Sequence, residues 1–464
     1  MEPEMKSIGI IGGGFAGMMT AVHLIELTNQ PISISIFEKS GIIGKGIAYN
    51  AYSNRQLLNV IAGKMSAFPD NPAHFIDWVI KQQGYGEKDS DLIKNSFLPR
   101  NLFGDYLQDI WRETVSVASK KGIIINVIHE EVIRMKHLEG VVTLETASLK
   151  HFQFNKCILA SGNLLPRNPK IKNLNFYASP NYYRNPWKSN SVENLTTKPV
   201  LIIGNGLTMV DTVVGLMEKG FKNKIYAISP NGFNILPHRH NGLAYEKLIP
   251  ELVGKTELRE ITQIVYKHIK SVREFGISAE PIIDALRPHT QQIWRNFTSE
   301  DKALFMRRFR HLWGVARHRI PMQIHDKIQQ LRIDGRLQII AGKLIEITEK
   351  SDGIKVNYFD KKNKTQEEIS VERVINCTGP ESDIELLENN YLKFALYDGL
   401  LNQDDLKLGL SVDIPTHTLL NANGLKNEGL YALGSFLKGE LWESTAINEL
   451  RSQAQNLAKI IITS

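Results

Sequence analysis

Two glycine-rich segments, each directly after a short apolar run, are the residues of this chain whose types and spacing can do chemistry. The first has Gly12, Gly14 and Gly17 in a Gly-x-Gly-x-x-Gly pattern, and the second places Gly204 and Gly206 about 190 residues later. Glycines at this spacing let the backbone approach a pyrophosphate, and the following helix directs its free amides at the phosphates. Because a helical pattern follows each segment, the sequence predicts two dinucleotide sites. Two dinucleotides in one chain usually exchange electrons, so the predicted chemistry is redox.

The first fingerprint has every part of a dinucleotide site in register. A buried strand is predicted at 7–11, a helix at 15–28 and a second strand at 32–37, which ends at Glu38. A carboxylate at this point accepts hydrogen bonds from ribose hydroxyls and repels a 2′-phosphate. The alternative is a glycine-rich turn without a ligand. The position early in the chain favours FAD as the occupant.

The second fingerprint is less regular, because Met209 stands where the third glycine belongs. Its second strand is predicted at 224–228 and runs into Ser229-Pro230-Asn231, without a carboxylate. This pattern is permissive for NADPH, whose extra phosphate needs hydroxyl or guanidinium partners. Arg239, between His238 and His240, is the nearest candidate partner, and an ordinary solvated basic loop is the alternative.

Composition limits the other classes of function. No run of about twenty apolar residues exists, so no membrane span is expected, and the polar segment 1–6 leads straight into the first strand and leaves no room for a signal peptide. Cys157 and Cys377 form no Cys-x-x-Cys pair, which indicates a reducing compartment and argues against a disulfide reductase. The net charge of +7 comes without a recognisable nucleic-acid-binding module, and the histidines lack metal-ligand spacing. We therefore expect a cytoplasmic protein with no metal and no nucleic-acid partner.

One basic segment stands out from an otherwise scattered distribution of charge. It contains Arg307, Arg308, Arg310, His311, Arg317, His318 and Arg319. In a helix, several of these side chains share one face between aromatic neighbours. The pattern predicts one of two roles for this segment. It forms the wall of a pocket that binds nucleotide phosphates or an anionic substrate, or it forms a solvated helix face.

The sequence predicts an α/β protein with two Rossmann-like domains, and the second domain is inserted into the first. We expect an FAD-binding domain at 1–190, an NAD(P)-binding domain at 191–365 with a helical insertion at about 245–331, and a return to the FAD-binding domain at 366–464. Strands predicted at 157–160, 374–377 and 429–433 run into tight turns where backbone can approach a cofactor. A final helix is predicted from about 444 to 461, and its first amides would face an anionic acceptor.

The order of short motifs along the chain resembles a family of bacterial FAD/NAD(P)-binding oxidoreductases. The motifs are Gly46-Ile47-Ala48-Tyr49, Leu58-Asn59-Val60, Met65-Ser66, Pro99-Arg100, Gly104-Asp105-Tyr106, Asn185-Pro186-Trp187, Gly204-x-Gly206-Leu207-Thr208-Met209-Val210-Asp211, Trp313, Arg317-His318-Arg319, Asn376-Cys377-Thr378-Gly379-Pro380 and Gly439-x-x-Trp442-Glu443. More distantly the chain is similar to class B flavin monooxygenases, including N-hydroxylating ones. The resemblance implies one tightly held FAD, an inserted NAD(P)H domain and a soluble enzyme.

The chain departs from the class B pattern in two places. The Phe-x-Gly-x-x-x-His linker motif is reduced to Phe176-Tyr177-Ala178, with Tyr182 in the position of the histidine. Related sequences also tend to have Arg where Pro230 stands, which leaves the choice between NADPH and NADH open.

The expected mechanism is hydride transfer from NAD(P)H to FAD, followed by transfer of one oxygen atom to a small-molecule substrate. Asn59 is the candidate catalytic residue, and Trp442 and Glu443 are candidates for bordering the substrate. The predicted cofactor contacts are Gly12, Gly14, Phe15, Ala16, Gly17, Glu38, Lys39, Ala48, Asn59, Met65, Ser66, Arg100, Ser161, Gly162, Gly204, Gly206, Leu207, Thr208, Ser229, Gly379, Gly434, Ser435 and Ala446. The alternatives are an NAD(P)H-dependent flavin reductase or dehydrogenase that inserts no oxygen, and a non-catalytic redox sensor. The oligomeric state is left open.

Overall fold

Seventeen strands and sixteen α-helices are present in the part of the chain that the computed structural model describes, residues 5–51, 53–239, 242–388 and 390–463. The strands are β1 Lys6–Ile11, β2 Ile32–Phe37, β3 Ile124–Ile128, β4 Val132–Leu138, β5 Val141–Thr146, β6 His151–Phe154, β7 Lys156–Leu159, β8 Tyr182–Tyr183, β9 Val200–Ile203, β10 Ile225–Ser229, β11 Leu337–Lys350, β12 Gly353–Asp360, β13 Thr365–Val371, β14 Arg373–Asn376, β15 Val412–Asp413, β16 Thr418–Leu420 and β17 Lys426–Ala432.

The helices alternate with the strands in the first part of the chain and then cluster after β10. They are α1 Phe15–Leu27, α2 Gly46–Tyr49, α3 His74–Val79, α4 Ser90–Lys94, α5 Arg100–Lys120, α6 Leu207–Glu218, α7 Leu248–Leu252, α8 Leu258–Glu274, α9 Glu280–Leu286, α10 Thr290–Asn296, α11 Ser299–Arg308, α12 Arg310–Arg317, α13 Met322–Ile333, α14 Tyr391–Tyr397, α15 Lys438–Leu441 and α16 Ile447–Thr463.

The first sheet has the strand order β15-β16-β17-β7-β1-β2-β3. Its strands from β17 to β3 are all parallel, and β15 and β16 extend it as an antiparallel edge. The central strand β1 is rich in isoleucine and buried along most of its length, as expected for a parallel strand covered on both faces. Helices α1, α5 and α16 contribute to the core on one face, and the other face packs against α14 and the small antiparallel sheet β4-β5-β6.

The second sheet repeats the same plan in the order β13-β12-β11-β10-β9-β14-β8. Strands β8, β14, β9, β10 and the start of β11 are parallel, and β11 continues into the antiparallel β12–β13 hairpin. Helices α6 and α13 cover one face. The predicted α/β class with two Rossmann-like domains is confirmed.

The sheet pairing differs from the predicted domain limits at both ends. Strand β8 lies before 191 and β14 lies after 365, yet both belong to the second sheet. The strand expected at 374–377 therefore pairs with β9 of the second site and does not return to the first sheet. A short apolar run in the sequence shows that a strand is buried on both faces. It does not show which strand pairs with it, because the partner of a parallel strand is distant along the chain.

Helices α7 to α12 form the greater part of the predicted helical insertion. Their apolar faces share a core with Leu408 and Trp442 from the last part of the chain. Helix α13, which we expected to belong to the insertion, packs instead in the core of the second sheet. None of the helices in the described ranges combines the length and apolar character that crossing a bilayer requires.

Candidate functional site

The first fingerprint folds into a tight connection between β1 and α1. Gly12 has a φ of +106°, and its amide donates to Phe37 O over 3.0 Å. A Cβ at Gly12 would lie 2.5 Å from Ala160 O, and a Cβ at Gly17 would overlap Gly12 O. Gly14 caps α1 without any side-chain hydrogen bond to the first amides. Those amides are therefore available to an anion, as a phosphate-binding turn requires.

Glu38 lies beside this turn at the end of β2. Its Oε2 accepts from the Gly13 amide over 3.0 Å, and its Oε1 accepts from the amide and the hydroxyl of Ser40 over 3.0 and 2.8 Å. A Cβ added at Gly14 would meet only Gly46 Cα, at 3.7 Å, so the space in front of the turn is open. An open glycine cradle with a carboxylate at the ribose position fits FAD. Phe15 and Ala16, which open α1, stand directly behind this cradle.

Four of the predicted contacts meet at the carboxyl ends of two neighbouring strands, β7 and β17. Ser435 Oγ donates to Gly162 O over 2.6 Å, which ties the two strand ends together. The Gly434 amide donates to Gln453 Oε1 of α16 over 2.8 Å. Ser161 Oγ shares a 3.0 Å hydrogen bond with Tyr391 Oη. Ala446 immediately precedes α16, so this group also includes the start of that helix.

The second fingerprint has nearly the same backbone geometry. Gly204 also has a φ of +106°, and its amide donates to Ile228 O over 2.8 Å. A Cβ at Gly204 would meet Cys377 O, whereas a Cβ at Gly206 would have no atom within 4 Å. Leu207 and Thr208 form the first turn of α6. This site is therefore also an open amide-lined turn.

Two further predicted contacts lie at the same edge of the second sheet. Gly379 follows β14, the strand that pairs with β9, and has a φ of +93°. Ser229 is the last residue of β10, and its Oγ accepts from the Gly232 amide over 3.0 Å. Met209 is buried in the core of this domain. The turn after β14 thus lies beside the second fingerprint, whereas we expected residues 366–464 to belong to the first domain.

Several predicted FAD contacts point elsewhere in the structure. Arg100 donates to Leu57 O and to Asp211 Oδ2, both over 2.9 Å, and so links the first domain to α6 of the second. Burial raises the pKa of the Asp211 carboxyl, and the Arg100 charge opposes that rise. Both side chains are mostly removed from water, so the guanidinium serves an interdomain ion pair.

Four more of the predicted cofactor contacts are Met65, Ser66, Lys39 and Ala48, and their contact with a cofactor stays a prediction. The Met65 side chain is buried in the core of the first domain. Ser66 Oγ donates to Asn71 O over 2.6 Å, and Lys39 is exposed and pairs with Glu131 at 3.4 Å. Ala48 is an exposed residue of α2. Motif position predicted these residues, but side-chain direction was not readable from it.

The loop that carries Asn59 is fixed by the second domain. His238 Nε2 lies 2.9 Å from Asn59 O, and because a carbonyl oxygen only accepts, Nε2 carries the proton. Burial, aided by the charges of Arg319 and Arg317, lowers the pKa of His238 to about 4. The ring is therefore neutral near pH 7. The contact involves the backbone of Asn59 and leaves its side chain for another partner.

The same histidine connects the Asn59 loop to the helical insertion, because its amide donates to Ile320 O over 2.9 Å. Arg319 is 4% exposed and pairs with Glu280 and Asp284 of α9. Burial lowers the pKa of Arg319 to about 10, so it stays charged at neutral pH. Nothing in a sequence motif predicted Glu280 or Asp284, which come from an insertion without a recognisable pattern.

Arg317 reaches Glu443, whose carboxylate also accepts from Trp313. The distances are 3.6 Å from Arg317 Nε to Glu443 Oε2 and 2.9 Å from Trp313 Nε1 to Glu443 Oε1. In addition, Gln291 Nε2 donates to Glu443 O over 2.5 Å. We call the group formed by Asn59, His238, Arg317, Arg319 and Glu443 the junction.

Trp442 directly precedes Glu443 of the junction and has an uncommon backbone conformation. Its φ of 61° and ψ of −64°, with a 2.7 Å hydrogen bond from the Glu443 amide to Leu441 O, form a γ-turn that a bulky residue rarely adopts. The indole stacks on Trp294 with ring centroids 5.1 Å apart and packs edge-on against Phe305. The turn places Glu443 in contact with Arg317, Trp313 and Gln291 of the insertion. The strained backbone therefore lies where the insertion contacts the last part of the chain.

The basic segment of the sequence thus divides into two parts. Arg317 and Arg319 are largely buried and paired with carboxylates. Arg307, Arg308, Arg310, His311 and His318 are exposed, as the solvated alternative expected. Arg239 is exposed, and its amide donates to Glu280 Oε1 over 3.2 Å; His240 lies outside the described residues.

Comparison with known proteins agrees with this geometry. Residues 9–164 match the family model described as FAD-NAD(P)-binding. The uncharacterized protein YdhS of Escherichia coli strain K12 is 26% identical over 291 residues, which is 60% of this chain and 51% of that protein. The chain thus matches about half the length of this curated relative.

Solved structures with the same fold cover nearly the whole chain. An ornithine N-hydroxylase from Kutzneria sp. 744 is 13% identical, with a TM-score of 0.67 over 98% of this chain and 99% of that one. L-lysine 6-monooxygenase from Pseudomonas syringae is 15% identical, with a TM-score of 0.65 over 98% of both. The bacillithiol disulfide reductase of Staphylococcus aureus has a TM-score of 0.57 at 15% identity over 99% and 98%. The predicted resemblance to FAD/NAD(P)-binding proteins is confirmed, and the family match over 9–164 agrees with the predicted cofactors FAD and NAD(P)H.

Proposed function

From the premise that this chain carries the FAD-NAD(P)-binding domain of flavin-dependent oxidoreductases, we propose that it is an NAD(P)H-dependent flavin monooxygenase of a small molecule. The observation that carries the proposal is the covered junction. Trp442, Trp294 and Trp313 are each less than 10% exposed; Trp294 stacks on Trp442, and Trp313 donates to the Glu443 carboxylate that pairs with Arg317. Oxygen transfer needs a site that excludes water, and we propose that this buried aromatic cover borders such a site.

Residues of the first site would hold FAD in place through backbone and carboxylate contacts. The free amides at the start of α1 would bind the pyrophosphate, and Glu38 would accept from the adenosine ribose. When bound, the flavin supplies hydride acceptance from NAD(P)H and reaction with oxygen. Asn59 lies on a loop held by His238, and we propose that its side chain orients the reacting groups.

The cysteines favour oxygen transfer over thiol chemistry. Burial raises the pKa of Cys157 and of Cys377 to about 12, so neither thiol ionises at neutral pH. A reactive cysteine is usually exposed and has a lowered pKa. This separates the chain from a disulfide reductase of similar fold, although electron transfer to a quinone or another protein stays an alternative.

The test is NAD(P)H oxidation by the purified protein under isotopically heavy oxygen gas. L-ornithine, L-lysine and cadaverine form the first panel, because proteins of the same fold act on these amines. The expected result is a product that carries one heavy oxygen atom, formed with one equivalent of NAD(P)H. Electrons that reach only a quinone, without a labelled product, would replace the proposal by the reductase alternative.

Two simpler outcomes separate the remaining alternatives. A yellow protein that oxidises neither NADH nor NADPH would support a redox sensor. A colourless protein that FAD cannot reconstitute would remove the flavin premise itself.

The aromatic cover has its own test in Trp313→Phe. This variant removes the indole donor to Glu443 but retains an apolar ring. We expect about a tenfold rise in the ratio of electrons lost to hydrogen peroxide to electrons used for oxygen transfer. This corresponds to about 1.4 kcal/mol in the free energy that separates the two outcomes. The matched control is Trp78→Phe, which removes an indole donor to Asp109 in the first domain. Equal peroxide release by the two variants would contradict a role for the cover.

A further inference from the structure

Ser229 occupies the position in the second site that Glu38 occupies in the first. The amide of Gly12 binds Phe37 O, and the amide of Gly204 binds Ile228 O. The next residues along the two strands are therefore equivalent. A hydroxyl has replaced the carboxylate that would repel a phosphate on the ribose.

A turn rich in lysine lies directly beside Ser229. It connects β12 to β13 and contains Lys361, Lys362 and Lys364. Ala341 pairs with Ser229 in the sheet, and the Lys361 amide donates to Ala341 O over 2.9 Å. Lys361 Nζ donates to Pro230 O over 2.7 Å. An ammonium group therefore stands at the carboxyl end of β10, although the chain segment after Ser229 supplies no cation there.

The turn is held in shape by its own first residue. Asp360 Oδ1 accepts from the amides of Lys362 and Asn363 over 2.7 and 3.0 Å. A fixed turn presents its positive charges with less loss of conformational freedom when an anion binds. Arg239, the candidate from the sequence, is tied through its amide to Glu280 of the insertion.

We propose that Ser229 and Lys361 form a binding site for the 2′-phosphate of NADPH. The inference rests on the proposed function, because it takes the second fingerprint as the nicotinamide nucleotide site. The Ser229 hydroxyl donates to a phosphate oxygen, and Lys361 exchanges its contact with Pro230 O for a charge-assisted bond to the phosphate. The lysine comes from the sheet hairpin and replaces in space the arginine that related sequences place at Pro230.

The direct test measures binding without electron transfer. Calorimetry on the FAD-loaded protein compares 2′,5′-ADP, which carries the phosphate, with 5′-AMP, which lacks it. We expect 2′,5′-ADP to bind at least about tenfold more tightly. Lys361→Ala should remove most of this difference and Lys361→Arg should retain it. The control Lys355→Ala changes a lysine on the same hairpin that pairs with Glu368, and it should behave like the parent.

A second test uses the rate of flavin reduction by NADPH and NADH without oxygen. The parent should prefer NADPH, and Ser229→Glu should move the preference at least about tenfold toward NADH. Reduction by both nucleotides at equal rates, with no effect of Lys361→Ala, would overturn this inference alone. Reduction by neither nucleotide, although 2′,5′-ADP still binds through Lys361, would overturn the proposed function and leave the phosphate site standing.

Discussion

The two glycine fingerprints share a backbone frame and differ in what surrounds it. In both, the first glycine has a φ of +106° and its amide binds the end of the neighbouring strand. In both, the helix begins at a glycine without a side-chain cap. The common frame provides amides for a pyrophosphate. Specificity therefore has to come from the residues that differ.

The differences fall at the third fingerprint position and at the end of the second strand. Gly17 allows α1 to pack against Gly12 O, whereas Met209 fills the core under α6. Glu38 offers a carboxylate to a ribose, and Ser229 offers a hydroxyl. The comparison indicates that the first site suits a resident FAD, and the second a phosphorylated nucleotide that binds and leaves.

The largest effect should follow from Gly17→Ala. Its Cβ would overlap a backbone oxygen, which cannot move aside without separating α1 from β1. We expect the purified protein to lose its flavin, with the flavin-to-protein absorbance ratio reduced at least about tenfold. Gly206→Ala is the control, because its Cβ meets no atom and should leave FAD content unchanged. Equal flavin loss in both variants would refute the assigned difference between the sites.

A smaller effect is expected from Met209→Ala. The Met209 side chain is 1% exposed, so truncation leaves a cavity in the second core. Such changes cost about 2–5 kcal/mol of unfolding free energy. Chemical denaturation followed by tryptophan fluorescence measures this loss, and flavin absorbance reports the first site separately. Early release of FAD would show that the two sites are not independent.

Much of this frame was predictable from the sequence, because its signals are local. The bounds predicted for β2 match the structure, and both fingerprints lie where the glycines placed them. The partner of β14 was mispredicted, because sheet order depends on contacts across the chain. Lys361 was likewise invisible to motif reasoning. It comes close to Pro230 only through the hairpin, 131 residues along the sequence.

The spacing of the sequence motifs also did not reveal the direction in which the side chains point. Arg100 was predicted to contact the cofactor but forms an ion pair with Asp211, 111 residues away. Both residues belong to motifs that the sequence displayed, yet nothing in either motif indicated that they meet. An isolated motif predicts a backbone conformation well and a long-range side-chain partner poorly.

His238 joins the Asn59 loop to the second domain, and its titration should have the smallest effect of the three changes. Its pKa falls from 6.5 to about 4 on folding, so between these values the unfolded chain binds more protons than the folded one. The free energy of unfolding contributed by this group is therefore present above pH 6.5 and is lost as the pH falls toward about 4. His238→Gln keeps a donor for Asn59 O but does not titrate. Denaturant titrations across this window should show the stability difference between parent and variant shrinking as the pH falls.

The control for this prediction is Asn59→Ala. It keeps the backbone oxygen that His238 binds, so the parent's pH dependence should persist. If the Asn59 side chain orients the reacting groups, the same variant should lower oxygen transfer without changing flavin content. If the pH dependence of the free energy of unfolding disappears in Asn59→Ala, the side chain of Asn59, and not its backbone, would couple this loop to His238.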